Sequence, residues 1–308
     1  MKPPEPIRIL DSAATDRALP HEPLVEALRA MLLRKHAGRT AAPERLAVPL
    51  TGGTLLAMPA CDGDYASTKL VTVHPGNPAR GLPTLLGEVL LMRADTGERL
   101  LMLDGPTLTG RRTAALSVLA TRVLAPRARG PLLIVGAGEQ GRVHLEAYVQ
   151  AMGVSEVFVA SRSFAKAQAL AEHGRALGAR ATAIEHADRA IADAGIIVTA
   201  TTSTAPVFTD RVADDAFVAA VGAYRPQMCE LPAGLLHRAR VYVDDPAGAR
   251  HEAGDILQAG LDWNRVTALE AVLAGAAPPP DSGPVVFKSV GQALWDLAAA
   301  RLALETAK

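Results

Sequence analysis

Apolar residues recur along the chain at two spacings, and the points where one gives way to the other mark its segments. Over residues 24–35, Leu24, Val25, Leu28, Met31 and Leu32 follow the i, i+3, i+4, i+7 rule of a helix with one buried face. From 54 to 103 the pattern shortens. Apolar stretches at 55–58, 69–73, 87–92 and 99–103 alternate with Gly, Pro and Asp breaks, which predicts strands in an antiparallel or mixed sheet. Residues 94–97, Ala-Asp-Thr-Gly, read as a hairpin turn between two of them. Residues 73–81 form a long loop of the kind that lines sites. The helical spacing returns over 112–124, with Leu116, Leu119, Ala120 and Val123 on one side.

Past a break at 126–131 the text becomes strand, glycine loop, helix, strand. Residues 132–135 are an apolar strand, a helix runs to about Met152, and 157–160 form a second strand. Residues 196–200, 217–221 and 241–243 are short unbroken apolar runs, as expected of parallel strands covered on both faces. A Pro-rich connection at 276–284 precedes a helical tail, predicted from Ser289, with Val290, Leu294, Leu297 and Leu304 on one side. The expected fold class is α/β: a Rossmann-type parallel-sheet domain plus an α+β domain.

Composition narrows the partners. The 308 residues are 49% hydrophobic and 21% charged, which excludes disorder and permits two domains with large cores. Lys plus Arg and Asp plus Glu both number 32, so no net charge draws the chain to nucleic acid or a membrane surface. Two cysteines, Cys61 and Cys229, without CxxC spacing, give no disulfide framework and no thiolate metal site. No apolar run approaches the roughly 20 residues that span a bilayer, and the opening residues show no signal peptide. The expectation is a soluble, cytoplasmic protein without a metal.

The strongest single motif is Gly136-Ala137-Gly138-Glu139-Gln140-Gly141, directly after one strand and at the mouth of a helix. Its first glycine permits the tight turn and its second the approach of a pyrophosphate. The third permits close helix–strand packing, while the helix N-terminus favours the anion. At the end of the next strand stands Ser161-Arg162-Ser163, where a carboxylate would hold the ribose hydroxyls of NADH. An arginine and two hydroxyls suit the 2′-phosphate of NADPH, a charge-assisted contact worth about 1.5–3 kcal/mol. NADPH is the expected cofactor, with NADH weaker. Thr201 and Thr202, after a later strand, are further candidates for cofactor contact; a plain Thr/Ser turn is the competing reading.

Three basic residues stand out in the first third, Arg45, Lys69 and Arg112. Lys69, the Gly81-Leu82-Pro83-Thr84 loop and Arg112-Thr113-Ala114-Ala115 come first. Gly136, Gly138, Gln140 and His144 follow, and then Ser289-Val290-Gly291. In this order and spacing, from about Arg45 to Gly291, the chain resembles the ornithine cyclodeaminase/mu-crystallin family. The resemblance implies that Arg45, Lys69 and Arg112 converge on the carboxylate of an amino or imino acid, with Thr84 nearby and Val290 and Gly291 beside the nicotinamide. It implies a homodimer formed through the first domain, residues 1–115, to which the C-terminal helix 292–308 returns. The Rossmann domain is then 116–291. Three cations buried without a counter-ion would be costly, so convergence predicts an anionic ligand, gripped through the paired hydrogen bonds of a guanidinium.

Two departures bear on the reaction. Cyclodeaminases of the family carry an Asp where this chain has Tyr224, and a Glu two residues before the Met-Pro pair where it has Leu56. A second ammonium on the substrate would lack both carboxylates, which disfavours ornithine. The expectation is the ketimine reductase branch, acting on 1-pyrroline-2-carboxylate or 1-piperideine-2-carboxylate to give proline or pipecolate. The proton for the imine nitrogen comes from Lys69 directly, from Lys69 through water, or with a substrate that binds already protonated. Competing readings are an alanine dehydrogenase or cyclodeaminase on the same scaffold, and a non-catalytic NADPH-binding protein of mu-crystallin type. His144 reads as a packing group, His74 as either a substrate contact or a surface histidine, Cys229 as inert, and Asp244-Asp245 as a turn.

Overall fold

Side-chain alternation in the first sheet decides where charge is buried. The computed structural model describes residues 6–125, 128 and 130–307, so Pro126, at the head of the expected break, the first five residues and Lys308 lie outside it. The chain divides into two units, one comprising the residues up to Arg112 and those from Gln292 onward, the other Thr113–Gly291.

The first unit is built on strands β1 (Arg8–Leu10), β2 (Leu46–Leu50), β3 (Gly53–Cys61), β4 (Tyr65–Val73), β5 (Leu85–Arg93) and β6 (Arg99–Asp104). They lie in the order β1-β6-β5-β4-β3-β2, antiparallel except for β1 alongside β6. Helices α1 (Ser12–Arg17) and α2 (His21–His36) precede the sheet's main strands, and α3 (Gly105–Leu124) follows them. The loop expected at 73–81 holds one 3₁₀ turn, Asn77–Arg80, pinned where the Asn77 side-chain amide donates to the Pro83 carbonyl at 2.9 Å.

Helix α3 starts at Gly105, seven residues before the expected 112. Asp104 caps it, accepting from the Thr107 backbone N–H at 2.9 Å, and Pro106 sits in the first turn, where its missing N–H costs nothing. The start approaches β5 closely: a Cβ on Gly105 would lie 2.6 Å from the Gly87 carbonyl oxygen.

In the second unit β7 (Leu132–Val135), α4 (Glu139–Met152), β8 (Glu156–Ala160), α5 (Phe164–Ala176), β9 (Arg180–Ile184), β10 (Ile196–Thr199) and β11 (Phe217–Ala220) follow one another. Then come α6 (Ala233–Arg238), β12 (Arg240–Val243), α7 (Pro246–Glu252), α8 (Gly254–Ala259), β13 (Val266–Ala268), α9 (Leu269–Leu273) and β14 (Val285–Lys288). The sheet is parallel throughout, in the order β13-β12-β14-β11-β10-β7-β8-β9. Every residue of β7, β10, β11 and β14 is buried, as a sheet covered on both faces requires. Strand order reverses between β7 and β10, the switch point where ligands of such sheets bind.

The final helix, α10 (Ala293–Thr306), belongs to the first unit, where it packs on α2 and across β3 to β6. It starts four residues later than expected. Ser289, Val290 and Gly291 form a turn instead, because the Ser289 hydroxyl and the Val290 and Gly291 N–H groups all donate to the Asp244 carboxylate. Gly291 has φ +79°, outside the helical region. Among the described residues no helix is long and apolar enough to cross a membrane.

Candidate active site

Register in the first sheet puts Leu56, Met58, Lys69, Val71, Val89 and Leu103 on one face, because Met58 pairs with Lys69, Lys69 with Val89 and Val89 with Leu103. This face lies under α10. Lys69 is therefore buried by alternation, at 4% exposure. Its ammonium meets Asp296, the fourth residue of α10, at 2.7 Å. From α3, Arg112 Nε donates to the other oxygen of the same carboxylate at 3.0 Å. Asp296 is 1% exposed and Arg112 4%. The neighbouring Arg111 points elsewhere, donating to the Leu19 carbonyl and pairing with Asp16.

Arg45 stands just ahead of β2, whose Leu46, Val48 and Leu50 turn outward, so alternation puts Arg45 on the Lys69 side. Burial pulls the Lys69 ammonium down to about 8; Asp296 opposes the fall, while the charges of Arg112 and Arg45 deepen it. Burial pushes the Asp296 carboxyl up, but the Lys69 and Arg112 charges outweigh it, and the group lies below its ordinary value.

Three converging cations without a counter-ion were the expectation from the sequence. The structure corrects this: Asp296 supplies one. Its carboxylate answers one of the two charges it touches and leaves one positive charge over. Thr84 is exposed at the end of the loop, its carbonyl accepting from the His74 N–H at 2.8 Å. His74 is half-buried with its ring over Gly53.

The second unit presents a cleft of about 700 Å³ at the switch point. Gly136, Ala137 and Gly138 form one side, Ser161, Arg162, Ser163 and Lys166 an end, and Thr201, Thr202 and Ser203 the opposite wall. Gly136 has φ +117°, and a Cβ there would strike the Ala200 carbonyl; a Cβ on Gly141 would strike that of Gly136. Gly138 faces open space at the head of α4. This glycine-walled hollow at a helix N-terminus fits a dinucleotide's pyrophosphate. Glu139 on α4 is exposed and paired with Arg142, and Gln140 lends its carbonyl to His144 Nδ1 at 2.7 Å. His144 is fully buried, with Nε2 3.0 Å from the Ser117 hydroxyl, and burial lowers it to about 4. It is a neutral packing group.

Arg162 is exposed at the cleft's end. The Thr201 hydroxyl donates to Glu230 at 2.8 Å and accepts from the Ser203 N–H, so its side chain is engaged within the wall. Val290 and Gly291 are held by Asp244, which is fully buried and gives the Asp244-Asp245 pair a structural task. Cys229 is buried, and burial pushes its thiol up to about 11. Tyr224 is half-buried, with the Arg225 guanidinium 5.5 Å from its ring centre.

Sequence reasoning missed Asp296 and Glu230. A lone carboxylate inside the apolar run Ala293-Leu294-Trp295-Asp296-Leu297 was the available signal for the first.

A parallel sheet with its glycine loop at the point of reversal, joined to a mixed sheet with a buried cationic group, defines a Rossmann-type protein with an added α+β unit. The model of the ornithine cyclodeaminase/mu-crystallin family matches residues 9–308, and the chain belongs to that family. It is 43% identical over 300 residues to the Delta(1)-pyrroline-2-carboxylate/Delta(1)-piperideine-2-carboxylate reductase of Azospirillum brasilense, covering 97% of this chain and 95% of the relative. The structure of Thermococcus litoralis Delta(1)-pyrroline-2-carboxylate reductase in complex with NADH and L-proline superposes with a TM-score of 0.92 at 26% identity, over 98% and 97% of the two chains. An archaeal alanine dehydrogenase dimer with bound NAD superposes at 0.91 and 27% identity, over 98% and 96%.

Proposed function

We propose that this chain is a reductase of cyclic 2-carboxy imines, converting 1-pyrroline-2-carboxylate to L-proline and 1-piperideine-2-carboxylate to L-pipecolate with NADPH. The observation that carries this is the buried Lys69–Asp296–Arg112 group, whose single excess positive charge suits one substrate carboxylate. The arginine fork fixes that carboxylate's orientation, and Arg45 adds charge from β2's end, with Thr84 at the adjoining loop. The named substrate of the Azospirillum relative has this chemistry.

The glycine loop residues Gly136 to Gly141, with Ser161, Arg162, Ser163 and Thr202, hold the cofactor; Val290 and Gly291, shaped by Asp244, serve its nicotinamide end. When bound, NADPH supplies a hydride for the imine carbon and leaves as NADP⁺. Lys69 holds the matching proton: at about 8 its ammonium is mostly charged at neutral pH and acidic enough to yield a proton to the imine nitrogen. Water returns it. The saturated ring amine results, with one hydride and one proton consumed.

Leu56, on the Lys69 face of β3, leaves no carboxylate for a distal ammonium. This supports an imine over ornithine. The open face of the first sheet, with Leu46, Val48, Leu50, Leu70 and Leu86 exposed, supports a homodimer.

The test is nicotinamide absorbance after mixing the protein with NADPH or NADH and either imine. Rapid loss of NADPH, slower loss of NADH, no NADH formation from alanine with NAD⁺, and no proline or ammonia released from ornithine with NAD⁺ are expected. Absence of turnover with both imines would overturn the proposal.

A further inference from the structure

A densely bonded carboxylate of the second unit belongs to Glu230, which is wholly buried in the segment between β11 and α6. Its Oε1 accepts from the Thr201 N–H and from the Thr201 hydroxyl at 2.8 Å. Its Oε2 accepts from the Thr199 hydroxyl at 3.0 Å and from the N–H groups of Gly222 at 2.8 Å and Ala223 at 3.1 Å. One side chain thus ties together the carboxyl ends of β10 and β11.

Glu230 is itself held. Its N–H and that of Leu231 donate to Asp255, whose other oxygen pairs with the buried ammonium of Lys288 at 2.9 Å. The backbone on either side continues the attachment: the Cys229 N–H donates to the Ser203 carbonyl and the Val207 N–H to the Glu230 carbonyl, both at 2.9 Å. Thr201, Thr202, Ser203 and Val207 are the wall facing the glycine loop.

That wall has no slack. A Cβ on Gly136 would strike the Ala200 carbonyl, and one on Gly222 would strike the Thr201 backbone and the Glu230 carboxylate. The strand end at 200–201 is therefore wedged between two glycines and fastened by Glu230.

We propose that Glu230 is a positioning residue for the cofactor: it fixes the Thr201–Ser203 wall at the spacing from Gly136 and Gly138 that a dinucleotide needs. The Thr201 hydroxyl serves Glu230, and Thr202 is left to meet the ligand. This rests on the cofactor reading above. Replacing Glu230 by Gln sets an amide N–H₂ against either two or three donors, so the wall must move although the side chain keeps its size.

NADPH binding to the 308-residue chain, followed by calorimetric titration, tests this beside steady-state kinetics and thermal unfolding. Glu230→Gln is expected to raise the Kd for NADPH by about tenfold or more, while the KM for the imine at saturating NADPH stays at the wild-type value. Thr201→Val should raise the Kd less, and the double variant should bind no more weakly than Glu230→Gln alone. An unchanged Kd in folded Glu230→Gln overturns the assignment, even if its melting temperature falls. If that variant does not fold, Thr201→Val decides: a raised Kd with an unchanged imine KM supports the assignment, and an unchanged Kd overturns it. Multiplying losses in the double variant would also overturn it, because Thr201 would then act on the cofactor independently. Failure of the wild type to bind either NADPH or NADH would instead remove the cofactor reading on which this stands.

Discussion

Replacing Asp296 by Asn removes one negative charge from beneath two cations and changes almost no volume. Lys69 and Arg112 are 4% exposed and lie 2.7 and 3.0 Å from the Asp296 oxygens, so solvent cannot stand in for the lost carboxylate. Removing one partner of a buried ion pair costs about 3–5 kcal/mol, which for a chain of this size corresponds to a fall in melting temperature on the order of 10 °C. The change also has a sign in pH. Burial is the main cause that lowers Lys69 to about 8, and Asp296 is the chief influence raising it. Without Asp296 the ammonium gives up its proton at lower pH still. If charged Lys69 is needed for turnover, kcat/KM in the wild type falls as pH rises through about 8, and in Asp296→Asn the fall begins earlier. Thermal unfolding by circular dichroism and a pH–rate profile in both proteins provide the assay. An unchanged melting temperature together with an unmoved alkaline limb would refute the reasoning.

Two further outcomes follow from the cofactor cleft and the open sheet face. Arg162→Ala should weaken NADPH binding by about ten- to a hundredfold and leave NADH binding unchanged, measured by titration with each; equal loss of both would remove Arg162 from the 2′-phosphate. Leu70 lies next to Lys69 in sequence but on the opposite, exposed face of β4, so Leu70→Asp should convert a dimer to a monomer in sedimentation. A wild type that sediments as a monomer would contradict the proposed dimer.

What was legible in the sequence was local. The strand Leu132–Val135, the glycine loop and the helix after it are contiguous, and Gly136 and Gly141 each have a steric reason within a few residues or across one strand, while Gly138 opens onto the cleft. Short apolar runs between Gly, Pro and Asp breaks likewise marked strands of the first sheet, but the burial of Lys69 follows only from the register of β3, β4 and β5. What could not be read was partnership between distant residues. Asp296 is 184 positions from Arg112 and meets it only because α10 returns to the first sheet; a charge within an apolar helix says that it is paired, not with what. Glu230 was passed over for the same reason. The start of α3 was missed for a different one: the cap at Asp104 is followed by Gly105 and Pro106, which look like a turn until Pro106 is recognised as a first-turn residue. At the other end, Ser289 to Gly291 continue the apolar spacing of α10 but give their donors to Asp244, so a tertiary contact overrides the local pattern.

The central claim is that a cyclic imine bearing a 2-carboxylate receives a hydride from the nicotinamide and a proton from the protein or solvent. The most direct measurement uses NADPH stereospecifically deuterated at C4 of the nicotinamide, in separate reactions with each face labelled, and mass spectrometry of the product formed from 1-pyrroline-2-carboxylate in ordinary water. The account predicts L-proline with one deuterium on the carbon that bears the carboxylate, from one of the two labelled faces only. Proline without deuterium from either face, or no proline at all from protein that binds NADPH, would contradict it.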